Sequence, residues 1–293
     1  MQCRKPMHWI LLLLPFFAFA VPNPMSRPSK APFVSGDGFR AIADYVFDEI
    51  DSSLNPQSVK PHSSIFVKTD LLECFFHTVH PLIFHPYVLI THNADAPMPG
   101  QYGHFADDPK IIAWFGQNYD GYPHPKLHPI PIGIANYCWP HGRTEMIQMV
   151  KELKFSKKHL VHMNISIKTF PIERGRVFHH FCSVPSCHRT ENQPFVRFLT
   201  DVVSSKFEVA PRGNGLDTHR LWESLYLGTI PIVKTSTLDC LYVGLPVLIV
   251  QEWSDVTEEF LERKYEEFSK QSFNIEKLSM DYWTKEIDAC KNL

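Results

Sequence analysis

Residues 206–234 read KFEVAPRGNGLDTHRLWESLYLGTIPIVK, and this stretch changes character three times. Phe207 to Ala210 reads as a short strand, and Pro211 to Leu216 forms a glycine-bearing loop. Asp217 or Thr218 is a suitable N-cap, since a short side-chain oxygen can take one of the free N–H groups that open a helix. Leu221, Trp222 and Leu225 then give that helix an apolar side, Gly228 ends it, and Thr229 to Val233 begins another strand. Strand, helix and strand in this order make a βαβ unit, so the fold class is α/β with parallel strands.

The loop between strand and helix also carries chemistry. Arg212-Gly213-Asn214-Gly215 leads toward a helix start, where unpaired N–H groups and the helix dipole favour an anion such as a diphosphate. Arg212 and Arg220 supply positive charge nearby. Glu223 stands three residues after Arg220 on the same face, about one turn into the helix. A carboxylate there can accept two ribose hydroxyl hydrogen bonds, while an arginine can meet phosphate oxygens in bidentate fashion. The same spacing is equally that of an ordinary surface ion pair.

Upstream, four apolar runs each end in polar residues. They are Ile65 to Lys68 before Asp70, Tyr87 to Thr91 before His92-Asn93-Ala94-Asp95, Ile111 to Phe115 before Gln117-Asn118, and Ile130 to Ile134 before Asn136. Continuous apolar runs suit strands buried on both faces of a parallel sheet, whose ligands gather at the carboxyl ends. Pro129 and Pro131 leave an irregular loop as the alternative for the last run. Phe39 to Ile50 has a helical stripe, and so does Gln193 to Ser205.

The organisation expected is a leader at 1–20, a proline-rich linker at 21–37, an acceptor-side half at 38–170 and a nucleotide-binding half at 171–293. Arg4 and Lys5 precede the apolar Trp9 to Phe19, and Ala18-Phe19-Ala20 is a small-x-small cleavage pattern, which reads as a secretory signal. An uncleaved leader would instead hold the chain at a membrane. A formal charge of −2 over 293 residues offers no global field for nucleic acid. Six cysteines follow the leader, and Cys182 with Cys187 is the best local pair for a disulfide.

The run from Pro211 through Val233, followed by Leu245-Pro246-Val247 and Trp253, resembles the donor-binding half of exostosin-type glycosyltransferases. Ser224 stands where that family commonly has alanine, and the likeness covers about 205–260. The resemblance implies a GT-B fold of two Rossmann-like halves facing a cleft, the first of them abbreviated here. It implies a nucleotide-sugar donor, with a uridine diphosphate sugar first, and transfer with inversion to a glycan or glycoprotein hydroxyl without a tightly held metal. By position it gives the donor to Arg212, Gly213, Asn214, Gly215, Arg220 and Glu223. The absence of an Asp-x-Asp triplet agrees with a metal-independent enzyme.

An inverting transfer needs a base within hydrogen-bond reach of the acceptor hydroxyl. Asp95 and His92 are the first choices and Asp70 the third, with a self-capped turn as the competing explanation of the His92 to Asp95 stretch. Gln117, Asn118 and Asn136 suit sugar hydroxyls, and Trp114 or Tyr119 could stack on a sugar face. Two other readings stand beside this one: a fucosyltransferase-like enzyme using a guanosine diphosphate sugar, and an idle relative that binds glycans. An exported transferase fits a Golgi-type lumen in a eukaryote or, in a bacterium, the envelope.

Overall fold

The structure, a computed structural model, describes residues 25–292, so the expected leader lies outside the described residues. It contains two five-stranded parallel sheets. The first is built from α1 (Gly36–Ile42), β1 (Tyr45–Phe47), β2 (Ser63–Lys68), the single turn α2 (Leu72–Cys74), β3 (Tyr87–His92), β4 (Ile111–Gly116) and β5 (Leu127–Pro129). Its strands lie in chain order, β1-β2-β3-β4-β5. The remainder is α3 (Thr144–Glu152), β6 (His159–Met163), α4 (Pro171–Cys182), β7 (Cys187–Arg189), α5 (Phe195–Val203), β8 (Ser205–Val209), α6 (His219–Tyr226), β9 (Ile230–Lys234), β10 (Leu248–Val250), α7 (Glu258–Ser269) and α8 (Met280–Lys291). The second sheet has the order β10-β9-β8-β6-β7.

Several expectations are corrected by tertiary pairing. The helical stripe from Phe39 to Ile50 splits at Ala43, because Tyr45–Phe47 pair in register with Ile65–Val67. The strand expected at Ile130 to Ile134 is displaced to Leu127–Pro129, and Ile130 to Ile134 is the irregular alternative. Strand β6 (His159–Met163) belongs to the second sheet although it lies inside the half expected to end at 170; Leu160, Val161, His162 and Met163 are all buried. The change of sheet therefore falls between Pro129 and His159, ahead of the boundary expected near 170. Nor does 21–37 behave as a linker throughout: Phe33 and Val34 are buried, and Val34 N–H donates to the Tyr226 hydroxyl at 2.8 Å.

One apolar core runs across both sheets. It joins Phe66, Ile90 and Phe115 of the first sheet to Leu221, Trp222 and Leu225 of α6 and to Met280, Trp283 and Ile287 of α8. Helix α8 packs on β3 and β4, so the C-terminal end of the chain returns to the first sheet. The halves are thus welded through their middle, and the space between them is confined to the strand ends. Among the described residues no helix is long and apolar enough to cross a membrane. The six described cysteines are free thiols; Cys187 is buried in β7 while Cys182 is exposed, so the disulfide expected between them is absent.

Candidate functional site

Strand order locates the crevice. From β6 the chain goes to β7 on one side and then to β8 on the other, so connections part beyond the carboxyl ends of β6 and β8. Such a reversal leaves a ready-made crevice in a parallel sheet. The loop 210–218 leaves β8 there, and Arg174 of α4 fixes its shape. That guanidinium donates to the carbonyls of Arg212 at 2.7 Å, Ser166 at 3.0 Å and Pro211 at 3.2 Å. Burial and the nearby charge of Arg220 pull it down to about 10. The two loop glycines answer a need for room: a Cβ on Gly213 would lie 3.2 Å from Arg174 Nη2, and one on Gly215 would lie 2.8 Å from Asn118 Nδ2.

Three connected spaces surround this loop. Arg212 borders a pocket of about 220 Å³ that also touches Thr218 and Leu221 at the start of α6, where no side chain caps the helix. It also borders a second pocket, of about 490 Å³, together with Asn214 and, from the first sheet, Asp95 and Asn118. Asn214 and Asp95 continue into a cavity of about 970 Å³, whose walls include Asp70, His92, Gln117, Asn136, Trp139 and His219. Arg212 donates weakly to two carbonyls of its own loop and lies over the Phe170 ring at 4.3 Å, with no carboxylate partner among the described residues. Asp95 is exposed and makes no hydrogen bond or ion pair among the described residues. Asp70 is also exposed, 3.5 Å from Lys68 Nζ.

Arg220 and Glu223 lie deeper. Arg220 Nη1 is 3.0 Å from Glu208 Oε1, and Glu208 Oε2 is 2.5 Å from His162 Nδ1, with Glu208 and His162 both fully buried. The expectation of Arg220 as a free phosphate contact is therefore revised, because its charge is committed to Glu208. Glu223 is 3% exposed, and its carboxyl makes no hydrogen bond or ion pair among the described residues. Burial pushes it up to about 8, against the attraction of Arg220 and with the repulsion of Glu208. His219 and Glu223 are four residues apart and share a helix face, so Glu223 lies one turn beneath a wall of the large cavity.

Polar groups on the first sheet's rim are largely used to hold that rim. His92 Nε2 donates to Pro131 O at 3.1 Å and Nδ1 accepts from Asn93 N–H at 2.8 Å, so no ring lone pair is left for an acceptor proton. Burial lowers it to about 4, and His92 gives way as a base. Gln117 ties Asn93 N–H to Ala94 O, Asn118 ties Asp217 N–H to Ala94 O, and Asn136 ties Asp37 N–H to Asn93 Oδ1. Each amide thus commits one acceptor and one donor internally. Asn93 and Asn118 follow β3 and β4 at φ 66 and 57, a left-handed exit that asparagine tolerates. Trp114 is wholly buried and Tyr119 packs against the apolar cores without lining either cavity, its hydroxyl donating to Tyr122 O; Trp139, 56% exposed on the large cavity, is the aromatic available there.

Four residues outside the expected site complete it. Trp139 opens a turn closed by Gly142 N–H on its carbonyl, with Pro140 next in the chain, and that turn pattern was its one signal. His219 Nδ1–H donates to Gly133 O at 2.8 Å, which fixes the tautomer and leaves Nε2 without a hydrogen bond beside the cavity. Its position as first residue after the cap could have revealed it. Asp217, far from being only a cap, accepts from Ile132 N–H, Thr218 N–H and Trp222 Nε1–H, each at 2.8 Å, and so straps the halves together; burial raises it to about 6. Arg174 carried no signal, because its partners are backbone carbonyls 8 to 38 residues away. Among the described residues no group of three or more His, Cys, Asp or Glu is arranged to hold a metal ion.

No family model matches the chain, and no curated protein matches it. Among solved structures it is similar to AviGT4, a glycosyltransferase involved in avilamycin A biosynthesis, at 9% identity and a TM-score of 0.38, over 78% of this chain and 84% of that one.

Proposed function

We propose that the chain is an exostosin-like glycosyltransferase of the GT-B kind, moving a sugar from a uridine diphosphate donor to a glycan or glycoprotein hydroxyl with inversion. The observation that carries this is one shared pocket in which an arginine without a carboxylate partner, Arg212, and an unpaired carboxylate, Asp95, come from opposite sheets. Asp95 takes the proton from the acceptor hydroxyl as its oxygen attacks the anomeric carbon. The bond from that carbon to the diphosphate breaks, and the charge gathering on the leaving phosphate meets Arg212 and the open start of α6. Glu223, left without a partner below His219, is the group assigned to the ribose hydroxyls, and Trp139 to the acceptor. The expected leader would deliver this activity to a secretory lumen, where nucleotide sugars are supplied.

A thermal-shift panel of nucleoside diphosphates tests the proposal, since a ligand at a hundred times its dissociation constant stabilises by about 2.7 kcal/mol. Uridine diphosphate should stabilise the parent, and the shift should collapse in Arg212→Met. A larger shift with guanosine diphosphate would move the donor to the fucosyltransferase-like alternative, and no shift with any nucleotide would remove the enzyme. One observation favours a second reading, that of a glycan-binding relative without transfer: Arg220 is spent on Glu208. That reading expects glycan binding with no release of uridine diphosphate from a donor sugar.

A further inference from the structure

The second sheet has an opposite end. Around the amino ends of β6, β7 and β8 lies a depression of about 580 Å³ whose walls include Lys157, Lys158, His159, Ser186, His188 and Lys206. Among its described lining residues Glu262 is the one acid, and Lys206 Nζ already holds it at 2.8 Å. Lys157 and Lys158 are left uncompensated, on a chain whose formal charge is −2. Lys157 is partly buried, with Nζ 2.7 Å from the Thr229 hydroxyl, so two of its three ammonium hydrogens are unused. Burial without a counter-charge pulls this ammonium down to about 8.

Two further groups wait at the same place. Ser186 Oγ and His188 Nε2 are buried atoms with no hydrogen-bond partner. Asp201 Oδ1 lies 3.6 Å from that nitrogen, beyond hydrogen-bond length, and is shared with Arg197 at 3.5 Å. His188 also stacks on His159, with ring centroids 4.1 Å apart. An unsatisfied buried polar atom is destabilising and calls for a missing partner. Here the residues that carry these two atoms line the same depression as two uncompensated lysines, and the lining contains no Phe, Tyr or Trp on which a nucleoside base could stack.

We infer that this depression binds a compact tetrahedral oxyanion, a phosphate or sulfate group, independently of the cleft at the other end of the sheet. Lys157 and Lys158 supply the charge and the Ser186 hydroxyl donates to the anion. Calorimetric titration of the full chain with sodium sulfate, against sodium chloride at equal ionic strength, tests it, with inorganic phosphate and N-acetylglucosamine 6-sulfate as parallel arms. Sulfate should saturate the parent and also Arg212→Met. Lys157→Met/Lys158→Met should weaken binding at least tenfold and Ser186→Ala about threefold, as expected for lost charged and neutral hydrogen bonds. Lys158→Met alone, at an exposed side chain, serves if the double variant misfolds. Comparable affinity for the sugar sulfate identifies an ester as the source, and affinity for the inorganic ions alone identifies the free anion. Equal heats from sulfate and chloride, or undiminished affinity in the folded lysine variants, would overturn the site.

Discussion

The two sheets have the same strand number and the same parallel sense, yet their carboxyl ends differ in kind. In the first, strand order never reverses, so successive exit loops lie side by side and knit together: His92, Asn93, Gln117, Asn118 and Asn136 satisfy one another or the backbone. In the second, order reverses between β7 and β8, the exits diverge, and among the described residues Arg212 is left without an acid partner and His219 Nε2 and the Glu223 carboxyl without a hydrogen-bond partner. Chemical availability at a sheet end thus follows from the order of strands more than from the residue types present. Asp95 is the exception that the first rim offers, because it lies beyond the knitted turn.

The largest test of that contrast sets Asp95 against His92. General-base removal costs roughly 10²–10⁴-fold, so Asp95→Asn should lower turnover by that range, read as uridine diphosphate released from a donor sugar, with nucleotide binding intact. His92→Gln should leave turnover within about threefold and instead lose stability on the scale of a buried hydrogen bond, about 1–3 kcal/mol. A His92 variant that loses turnover while keeping its melting temperature would break the contrast. Next in size is the strap between the rims. Asp217→Leu orphans three donors and should cost about 3 kcal/mol or more in denaturant unfolding. An unchanged midpoint would mean that the halves are held by the apolar core alone. Smaller again is the division between the arginines: Arg212→Met should weaken uridine diphosphate about tenfold or more, whereas Arg220→Met should act mainly on stability by stranding Glu208.

Much of this was legible in residues, and the reasons for the misses are physical. The βαβ unit at 206–234 could be read because strand, loop, cap and terminating glycine all agree locally; Gly228 has φ 67 at the expected helix end. Strands β2, β3 and β4 could be read because they are buried on both faces. Strand β6 could not, since its fully buried His162 counts as polar until Glu208 and Thr190 are brought to it across the sheet. Helix α8 was missed for a related reason, as its partners lie far upstream in β3 (Tyr87–His92) and β4 (Ile111–Gly116). In the site, residue types named side chains such as Asp95, Asn136 and Asn214 that line the cavities at the strand ends, but which polar atoms remain free depends on bonds such as His92 to Pro131, and no spacing rule reports those.

Glu223 gives the smallest effect and the sharpest contrast, because Glu208 is equally buried and sits on the same polar cluster. Glu208 has two partners and Glu223 has none. The unfolded carboxyl releases its proton near 4.5 and the folded one near 8, so between these values the folded state holds the extra proton. Stability from this group is therefore complete below 4.5 and is lost as pH rises through 8. His92 and His219, both lowered to about 4, act in the opposite sense, but only below their ordinary 6.5. Lys157, lowered to about 8, also acts in the opposite sense, but only from there upward, so the interval from 6.5 to 7.5 is set chiefly by Glu223. There the parent should lose on the order of 1 kcal/mol, while Glu223→Gln, neutral throughout, should show a flat profile. Saturating uridine diphosphate should change the parent's slope if its ribose takes that carboxyl, and leave it unaltered if the ribose binds elsewhere. A parent as flat as the variant without nucleotide would mean that Glu223 is already ionised beside Arg220, and the two buried carboxylates would then differ in partners but not in charge.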